Sequence, residues 1–393
     1  MSTADLVVGP LLRYTDPTTA CVWVETSGPA EVGVRGTTAA TFEVEGHHYG
    51  YVVLEGLAPG TDEPYEVLLD GRRAWPPDDG RPAPRLRTPS GRDRLDVVFG
   101  SCRVDRPHER PWTLTVDEHP DGVGVDALHA LALALQQDQR ELPDLLLLLG
   151  DQVYADEGLS PRVRERQVAR RGEDSAPVGE VADFEEYTWL YRDSWTHPEV
   201  RWLLATVPSA MVFDDHDVRD DWNTSAAWRA QMSEVPWWHE RVVGAYMSYW
   251  LYQHLGNLRP DRLREQDVLD AVCRDGGTAL RRYAELADAE VDGGELVRWS
   301  FGRDLGVARL VVVDTRSGRV LGERHRQMLS EDEWDLVDGF LRGDVEHLLV
   351  ASSLPVVLER SLHDLERWDD AVAGGAWGRR AARLGERVRQ ALD

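Results

Sequence analysis

The sequence feature that most constrains the fold is a short apolar run that ends abruptly in acidic residues. Residues 208–213 read Pro-Ser-Ala-Met-Val-Phe, and residues 214–217 read Asp-Asp-His-Asp. An apolar run of about four to eight residues bounded by proline predicts a buried strand. Its end places several carboxylates at one sheet edge, where they repel one another unless a cation or a proton neutralises them. The pattern favours a bound metal, whereas solvation in an acidic loop would suffice only for Asp220 and Asp221.

Polar side chains follow four predicted strands in the same way. The strand ends are Gly100-Ser-Cys102-Arg103, Gly150-Asp151-Gln-Val-Tyr154, residues 214–217 and Asp314-Thr-Arg316. Open α/β sheets bind ligands outside the carboxyl ends of their strands, so a thiol, a phenol and several carboxylates would converge there. The sequence therefore predicts a dinuclear metal site at this edge.

Each candidate ligand also has a plain structural interpretation. Cys102 alone is typical of a small core residue, and Asp151 alone of a helix N-cap. Tyr154 and His216 alone would be a packing aromatic and a structural histidine. Because all four alternatives would have to apply together at equivalent strand ends, we favour the metal site.

The chain divides by composition into an all-β part and an α/β part. Residues 1–90 contain alternating segments separated by Gly- and Pro-containing turns, typical of an immunoglobulin or fibronectin type III sandwich; these segments are 19–25, 31–35, 51–54 and 65–69. The Pro-rich residues 75–84 are the predicted linker. In residues 91–393, the pattern predicts helices at 126–135 and 362–392, and strands at 94–101, 145–149, 209–214, 298–301, 308–314 and 347–353.

The composition limits the classes of function. The 393 residues carry a formal net charge of -26 and are 42% hydrophobic, which predicts a folded protein that does not coat nucleic acid. A phosphorylated substrate stays compatible with this charge, because bound metal ions reverse the local field. The sequence shows no signal peptide and no apolar run that spans a bilayer, which predicts a cytoplasmic protein without membrane attachment. Three distant cysteines do not make a disulfide framework, and the sequence does not indicate the oligomeric state.

Four segments resemble motifs of the alkaline phosphatase D (PhoD-like) family, within the calcineurin-like metallophosphatase superfamily. They are Phe99-Gly-Ser-Cys102, Leu149-Gly-Asp-Gln-Val-Tyr-Ala-Asp156, Val212-Phe-Asp-Asp-His-Asp-Val218 and Val313-Asp-Thr-Arg316. The resemblance implies an α/β (α+β) fold: a four-layer sandwich of two mixed sheets flanked by helices, preceded by a small all-β immunoglobulin- or fibronectin-like domain. It also implies hydrolysis of phosphate mono- or diesters, with a small-molecule phosphate ester as the partner.

The resemblance assigns roles to individual positions. Cys102 would be a thiolate ligand, Asp151 the carboxylate that bridges two metals, and Tyr154 a phenolate ligand of the first metal. Thiolate together with phenolate favours Fe3+, and the oxygen-rich neighbouring site suits Ca2+, with Mn2+ or Zn2+ as other divalent ions. Asp215 matches a ligand of the second metal, although the choice between Asp214 and Asp215 stays open.

The resemblance and the chemistry of the side chains also suggest groups that act on the substrate. His216 would lie near the scissile phosphate and protonate the leaving oxygen, while Asn223 would contribute an amide oxygen to a metal. Arg103 and Arg316 would clamp phosphate oxygens; pairing of Arg316 with Asp314 is an equal alternative. The expected reaction is two-metal hydrolysis, in which the metals activate a water.

One part of the family pattern is missing. The family normally finishes with a strand that ends Gly-Asp-Val-His, whose histidine ligates metal, and no segment after Asp314 matches it. We therefore expect a fragment of a longer enzyme. The alternative is a non-catalytic or degenerate relative that keeps the fold and binds a metal weakly.

Overall fold

The computed structural model describes residues 3–91, 94–291, 297–322, 325–357, 359–373, 375–378 and 380–385. It confirms the predicted α/β fold class, because strands alone form the first part of the chain, and helices enter only after residue 100. The division into domains at residue 90 stays a prediction.

The N-terminal part is a sandwich of two four-stranded antiparallel sheets. One sheet has the order β1-β2-β6-β5, with strands Leu6–Thr15, Ala20–Thr26, His47–Leu54 and Phe42–Val44. The other has the order β4-β3-β8-β9, with strands Thr37–Ala40, Glu31–Val34, Val67–Leu69 and Arg72–Trp75. Alternating valines of the two sheets pack into one core, and a Cβ atom on Gly50 would lie 2.7 Å from Val32. This close approach explains a glycine in the middle of β6.

The predicted linker packs against the rest of the protein and does not act as a spacer. The Trp202 indole donates a hydrogen bond to the Pro82 carbonyl (2.7 Å), and Arg81 forms an ion pair with Glu199 (2.7 Å). The chain then returns to the sandwich, where β10 (Arg85–Arg87) pairs with β7 (Asp62–Pro64).

Two further sheets carry the predicted strands of the α/β part. The first is wholly parallel, with the order β11-β12-β13, and its strands are Val97–Gly100, Leu145–Leu149 and Ser209–Val212. The second is mixed, with the order β14-β15-β18, and its strands are Phe301–Asp304, Ala308–Val313 and His347–Ser352. A small ribbon pairs β16 (Val320–Gly322) with β17 (His325–Gln327). The carboxyl ends of the three parallel strands therefore meet at one edge, as the sequence predicts.

Helices cover and connect these sheets. They are α1 (Ala127–Gln136), α2 (Pro161–Arg171), α3 (Phe184–Trp195), α4 (Pro198–Thr206), α5 (Ala226–Ser233), α6 (Trp238–Ser248), α7 (Pro260–Glu265), α8 (Val268–Asp275), α9 (Gly277–Glu290), α10 (Glu331–Leu341) and α11 (Arg360–Ala373). A π-turn at Tyr249–Gln253 and a 3-10 turn at His254–Gly256 extend α6. In the part of the chain that the structure describes, no helix is both long and apolar enough to cross a membrane.

The sandwich and the parallel sheet share buried polar contacts. The buried Arg13 guanidinium of β1 donates to Ser209 Oγ at the start of β13 (3.1 Å) and to Asn257 Oδ1 (3.3 Å). The Asn257 side chain also bonds both backbone groups of Met211, at 2.9 and 2.6 Å. These bonds fix β13, the strand that leads into the acidic segment.

Candidate metal centre

Asp217 ties together the turns that follow β12 and β13. Its Oδ2 atom accepts hydrogen bonds from the backbone N–H groups of Asp151 (2.8 Å) and Asp214 (3.0 Å). Its Oδ1 atom accepts from the N–H of Gln152 and from the Gln253 amide, both at 3.2 Å. Asp217 is therefore a buried residue that holds the two turns together, and both of its carboxylate oxygens already accept hydrogen bonds. The sequence alone does not distinguish Asp217 from the other acids of residues 214–217.

Gly150 and Asp151 bring the acidic groups together. Gly150 has φ +95°, and a Cβ atom there would lie 2.5 Å from the Asp214 side chain, so only glycine fits this turn. Oxygen atoms of Asp151, Asp214 and Asp215 all lie within 4.8 Å of one another. Burial and the charges of Asp214 and Asp215 raise the pKa of Asp151 to about 7. The Asp151 Oδ1 atom is buried and has no hydrogen-bond partner.

Arg316 is the internal counter-ion of this acidic group. Its guanidinium donates to Asp214 Oδ1 (2.6 Å) and to Asp215 Oδ2 (2.7 Å), whereas in the described residues Asp314 accepts from the backbone N–H groups of Arg316 and Ser317 and from the Ser317 hydroxyl. The side chain thus pairs with the acids after β13, and the alternative pairing with Asp314 does not form. One guanidinium thus pairs with two of the three clustered carboxylates.

Cys102 and Tyr154 lie next to Asp151. The Cys102 Sγ atom is 3.2 Å from Asp151 Oδ2, and the backbone N–H of Arg103 donates to the Asp151 carbonyl (3.1 Å). Burial, followed by the negative charge of Asp151, raises the pKa of Tyr154, and burial likewise raises the pKa of Cys102. Asn223 approaches from the other side, with its Nδ2 donating to the Arg316 carbonyl (3.3 Å) and its Oδ1 buried without a partner.

His216 is held by Asp156, a residue to which the sequence analysis gave no role. Its Nδ1 atom lies 3.0 Å from both Asp156 oxygens, and its ring stacks on Tyr154 with centroids 4.5 Å apart. Burial disfavours the charged ring, but the hydrogen bond to Asp156 and the nearby acids outweigh it and raise the pKa of His216 to about 9. In the sequence, Asp156 is the last residue of the motif that begins at Leu149, and this position was the one indication of its importance.

Arg103 does not join these groups. Its Nε donates to Asp126 (2.8 Å) and its NH2 to Asp105 (3.2 Å), while NH1 contacts Ser194. All three guanidinium nitrogens of Arg103 thus have hydrogen-bond partners outside the acidic group. A phosphate-clamping role for Arg103 stays a prediction. A cavity of about 510 Å³ opens here, and Cys102, Arg103 and Tyr154 line it.

The residues present fit a metal centre. Three clustered carboxylates, with an amide oxygen and a carboxylate oxygen that lack partners, form the oxygen-rich donor set that hard cations prefer. A thiol beside them adds a softer donor. In the described residues, the predicted ligands Cys102, Asp151, Tyr154, Asp214, Asp215 and Asn223 all gather at the carboxyl edge of the parallel sheet. We call this group the acid centre.

The fold and the site define an α/β protein with a candidate metal centre at the ends of parallel strands. Residues 131–271 match the family described as PhoD-like phosphatase. The match contains Asp151, Tyr154, Asp215 and His216. Residues 3–87 match a second family, described as Domain of unknown function (DUF7800).

A solved structure described as "Structure of PhoD" shares the fold. It is 15% identical, with a TM-score of 0.53, and the alignment covers 89% of this chain. The chain spans 61% of the length of that structure. No curated protein matches the sequence.

Proposed function

We propose that the chain is a metal-dependent phosphoesterase that hydrolyses phosphate mono- or diesters. The observation that carries the proposal is the convergence of Cys102, Asp151 and Asp215 at one sheet edge, inside a fold whose central region matches PhoD-like phosphatases. The cavity beside Cys102 and Tyr154 provides room for the ester group.

The proposed ligands follow from the donor atoms. Cys102, Asp151 and Tyr154 would hold the first ion, for which Fe3+ fits the thiolate and phenolate. Asp151, Asn223 and one of Asp214 or Asp215 would hold the second, for which Ca2+ fits the oxygen donors. Such a pair of ions polarises a phosphoryl group and lowers the pKa of a bound water.

The chain's own groups would handle the leaving group. His216 is the proposed proton donor to the leaving oxygen, and Asp156 fixes the orientation of its ring through Nδ1. The Tyr154 ring, stacked on the imidazole, limits its movement further. Nε2 of His216 is then the atom that carries the proton toward the substrate.

A second candidate function is metal binding without hydrolysis. The observation that favours it is Arg316, whose guanidinium already neutralises Asp214 and Asp215 from within the chain. A site with this internal cation binds an added ion more weakly, because the ion must displace or share the same carboxylates.

Activity and metal content of one purified sample test both candidates. We expect hydrolysis of nitrophenyl phosphate or bis(nitrophenyl) phosphate, with metal found by elemental analysis. Asp151→Asn should lower the rate more than about 100-fold. Asp144→Asn, at the opposite end of the same strand, is the matched control and should keep the rate.

The outcomes separate the candidates. Bound metal without turnover of either ester supports the binding function and contradicts the hydrolase. An unchanged rate in Asp151→Asn shows that the acid centre is not the site of the reaction.

A further inference from the structure

A second group of metal-ligating side chains lies outside the acid centre. Three imidazoles meet here from three segments: His108 from the connection after β11, His129 from α1, and His197 from the residue before α4. The His108 ring centroid lies 4.1 Å from that of His129 and 4.3 Å from that of His197. Asp105 and Glu199 flank the rings, and we call these five residues the histidine cluster.

Three side-chain atoms of this cluster, His108 Nε2, His129 Nδ1 and Glu199 Oε2, lie close together but do not hydrogen-bond one another. His108 Nε2 and His129 Nδ1 are both buried, and neither has a hydrogen bond to any residue that the structure describes. Glu199 Oε2 lies 3.5 Å from His129 Nδ1, and its other oxygen is held by Arg81. Ligand atoms of a tetrahedral zinc ion with bonds of 2.0–2.1 Å are about 3.3 Å apart. One ligand atom from each of the three residues falls within 4.8 Å of the others, so small side-chain rotations would complete the site.

In the other half of the cluster, His197 Nε2 also has no hydrogen bond within the described residues, but it has a close carboxylate. His197 Nε2 lies 3.0 Å from Asp105 Oδ1, at ion-pair distance, and Arg103 also contacts that carboxylate. No such partner satisfies His108 Nε2 in the part of the chain that the structure describes. Burial, with the charges of His197 and His129, lowers the pKa of His108 to about 4.

We propose that His108, His129 and Glu199 bind one divalent transition-metal ion, for which Zn2+ has the matching ligand chemistry. Three protein ligands leave a fourth position for water, and His108 lines the cavity of about 510 Å³ that Cys102 also lines. The site does not depend on the proposed hydrolase function.

The proposed ion would hold one wall of that cavity in place. Between β11 and α1, the described residues 101–126 form no helix or strand, and they carry both Cys102 and His108. Coordination would link this segment to α1 through His129 and to α4 through Glu199. Such a crosslink restricts a long irregular segment more effectively than ring contacts alone.

Zinc binding to the full chain tests the proposal. A Cys102→Ser/Asp151→Asn background removes ligands of the acid centre, so that the remaining zinc reports on the histidine cluster. We expect one equivalent of Zn2+ by elemental analysis, and at least about a 100-fold loss of affinity, measured against a chromophoric chelator, in each of His108→Gln, His129→Gln and Glu199→Gln.

Two controls match these variants. His119→Gln removes a 41% exposed histidine of the same segment, and Arg81→Gln breaks the ion pair with Glu199 without removing a ligand. Both should keep the affinity. Unchanged affinity in His108→Gln overturns the site. A loss confined to His197→Gln and Asp105→Asn overturns the ligand assignment, since the other half of the cluster would then be the site.

Co2+ substitution in the unmutated cluster keeps the test valid if a variant fails to fold. The folded background protein should show the visible absorption bands of four-coordinate Co2+, and excess Zn2+ should remove them. A folded background that takes up Co2+ without these bands, or takes up none, contradicts the proposal.

Discussion

The acid centre and the histidine cluster open on one cavity but are built by different means. The acid centre lies on turns at the ends of parallel strands. There Asp217 accepts hydrogen bonds from several backbone N–H groups, and Gly150 lets the turn after β12 lie close to the Asp214 side chain. The histidine cluster depends on side chains that project from two helices and an irregular segment. The sheet thus positions one site through its backbone, whereas ring contacts and side-chain ion pairs position the other.

The two sites also differ in how their charge is balanced. Burial and the charges of Asp214 and Asp215 raise the pKa of Asp151, although Arg316 pairs with both of those acids. In the histidine cluster, Arg81 pairs with Glu199, and the ring of His108 lies between those of His129 and His197. We therefore expect cation binding to relieve repulsion at the acid centre and to satisfy unpaired lone pairs at the histidine cluster.

The largest expected effect comes from removing the backbone anchor of the acid centre. Asp217→Ala would leave several buried N–H groups without an acceptor, at about 1–3 kcal/mol each before relaxation. We expect the free energy of unfolding to fall by about 4 kcal/mol, together with a loss of bound metal. Denaturant unfolding measures the change, with the exposed Asp220→Ala as the control that should stay near the wild-type value.

Arg316→Gln breaks the internal charge balance and should have the next largest effect. Loss of the guanidinium leaves Asp214 and Asp215 uncompensated, which we expect to lower the unfolding free energy by about 2–3 kcal/mol, since one carboxylate can take up a proton. Added Ca2+ or Mn2+ should restore the stability of this variant more than that of the wild type. If these ions restore nothing, the carboxylates are not cation ligands. Arg85→Gln, which removes an exposed ion pair, should show neither effect.

Much of the acid centre is predictable because strand patterns are local. Leu145–Leu149 is a strand with the bounds that its apolar run predicts, and the carboxyl ends of parallel neighbours must share an edge. The gathering of Cys102, Asp151 and His216 follows from that geometry. The first strand, Leu6–Thr15, is not predicted because Gly9-Pro10 interrupts its alternation.

The unpredicted features depend on side-chain direction and on distant contacts. Asp217 and Asp215 are two residues apart in an acidic segment, and only the folded turn shows that Asp217 points to backbone N–H groups. The partners of Arg316 lie about 100 residues away in sequence. His108 and His129 belong to no spaced motif, so only the structure reveals the histidine cluster.

Asp156→Asn tests whether His216 acts as an oriented group or only as a packed ring. The amide keeps the shape of the side chain but loses the charge that holds the imidazole. We expect kcat/KM to fall by about 10- to 30-fold with unchanged metal content. Because the proton donor must be protonated, loss of the Asp156 charge should move the basic limb of the pH-rate profile to lower pH. Loss of metal in this variant would instead indicate a role in the architecture of the acid centre.

His47 provides a contrast to the histidine cluster, because each of its ring nitrogens already has a carboxylate partner. His47 Nδ1 bonds Glu25 of β2 (3.0 Å) and Nε2 bonds Glu185 (2.8 Å), so one ring nitrogen joins β6 to its neighbouring strand and the other joins it to α3. Burial opposes the charge on the ring, but the bonds to Glu185 and Glu25 prevail and raise the pKa of His47 to about 9.

Stability should therefore depend on pH through this one group. Because the folded pKa lies above the unfolded value of about 6.5, the contribution is fully present below pH 6.5 and is lost as the pH rises through about 9. The shift corresponds to at most about 3 kcal/mol, and partial exposure of Glu185 reduces the expected contribution to about 1 kcal/mol. Unfolding free energies of wild type and His47→Gln, measured at pH 6 and pH 9.5, should differ at the lower pH and converge at the higher. A constant difference across this range would show that His47 contributes packing and no titrating ion pair. Added Zn2+ should not change the stability difference between wild type and His47→Gln, in contrast to its expected effect at the histidine cluster.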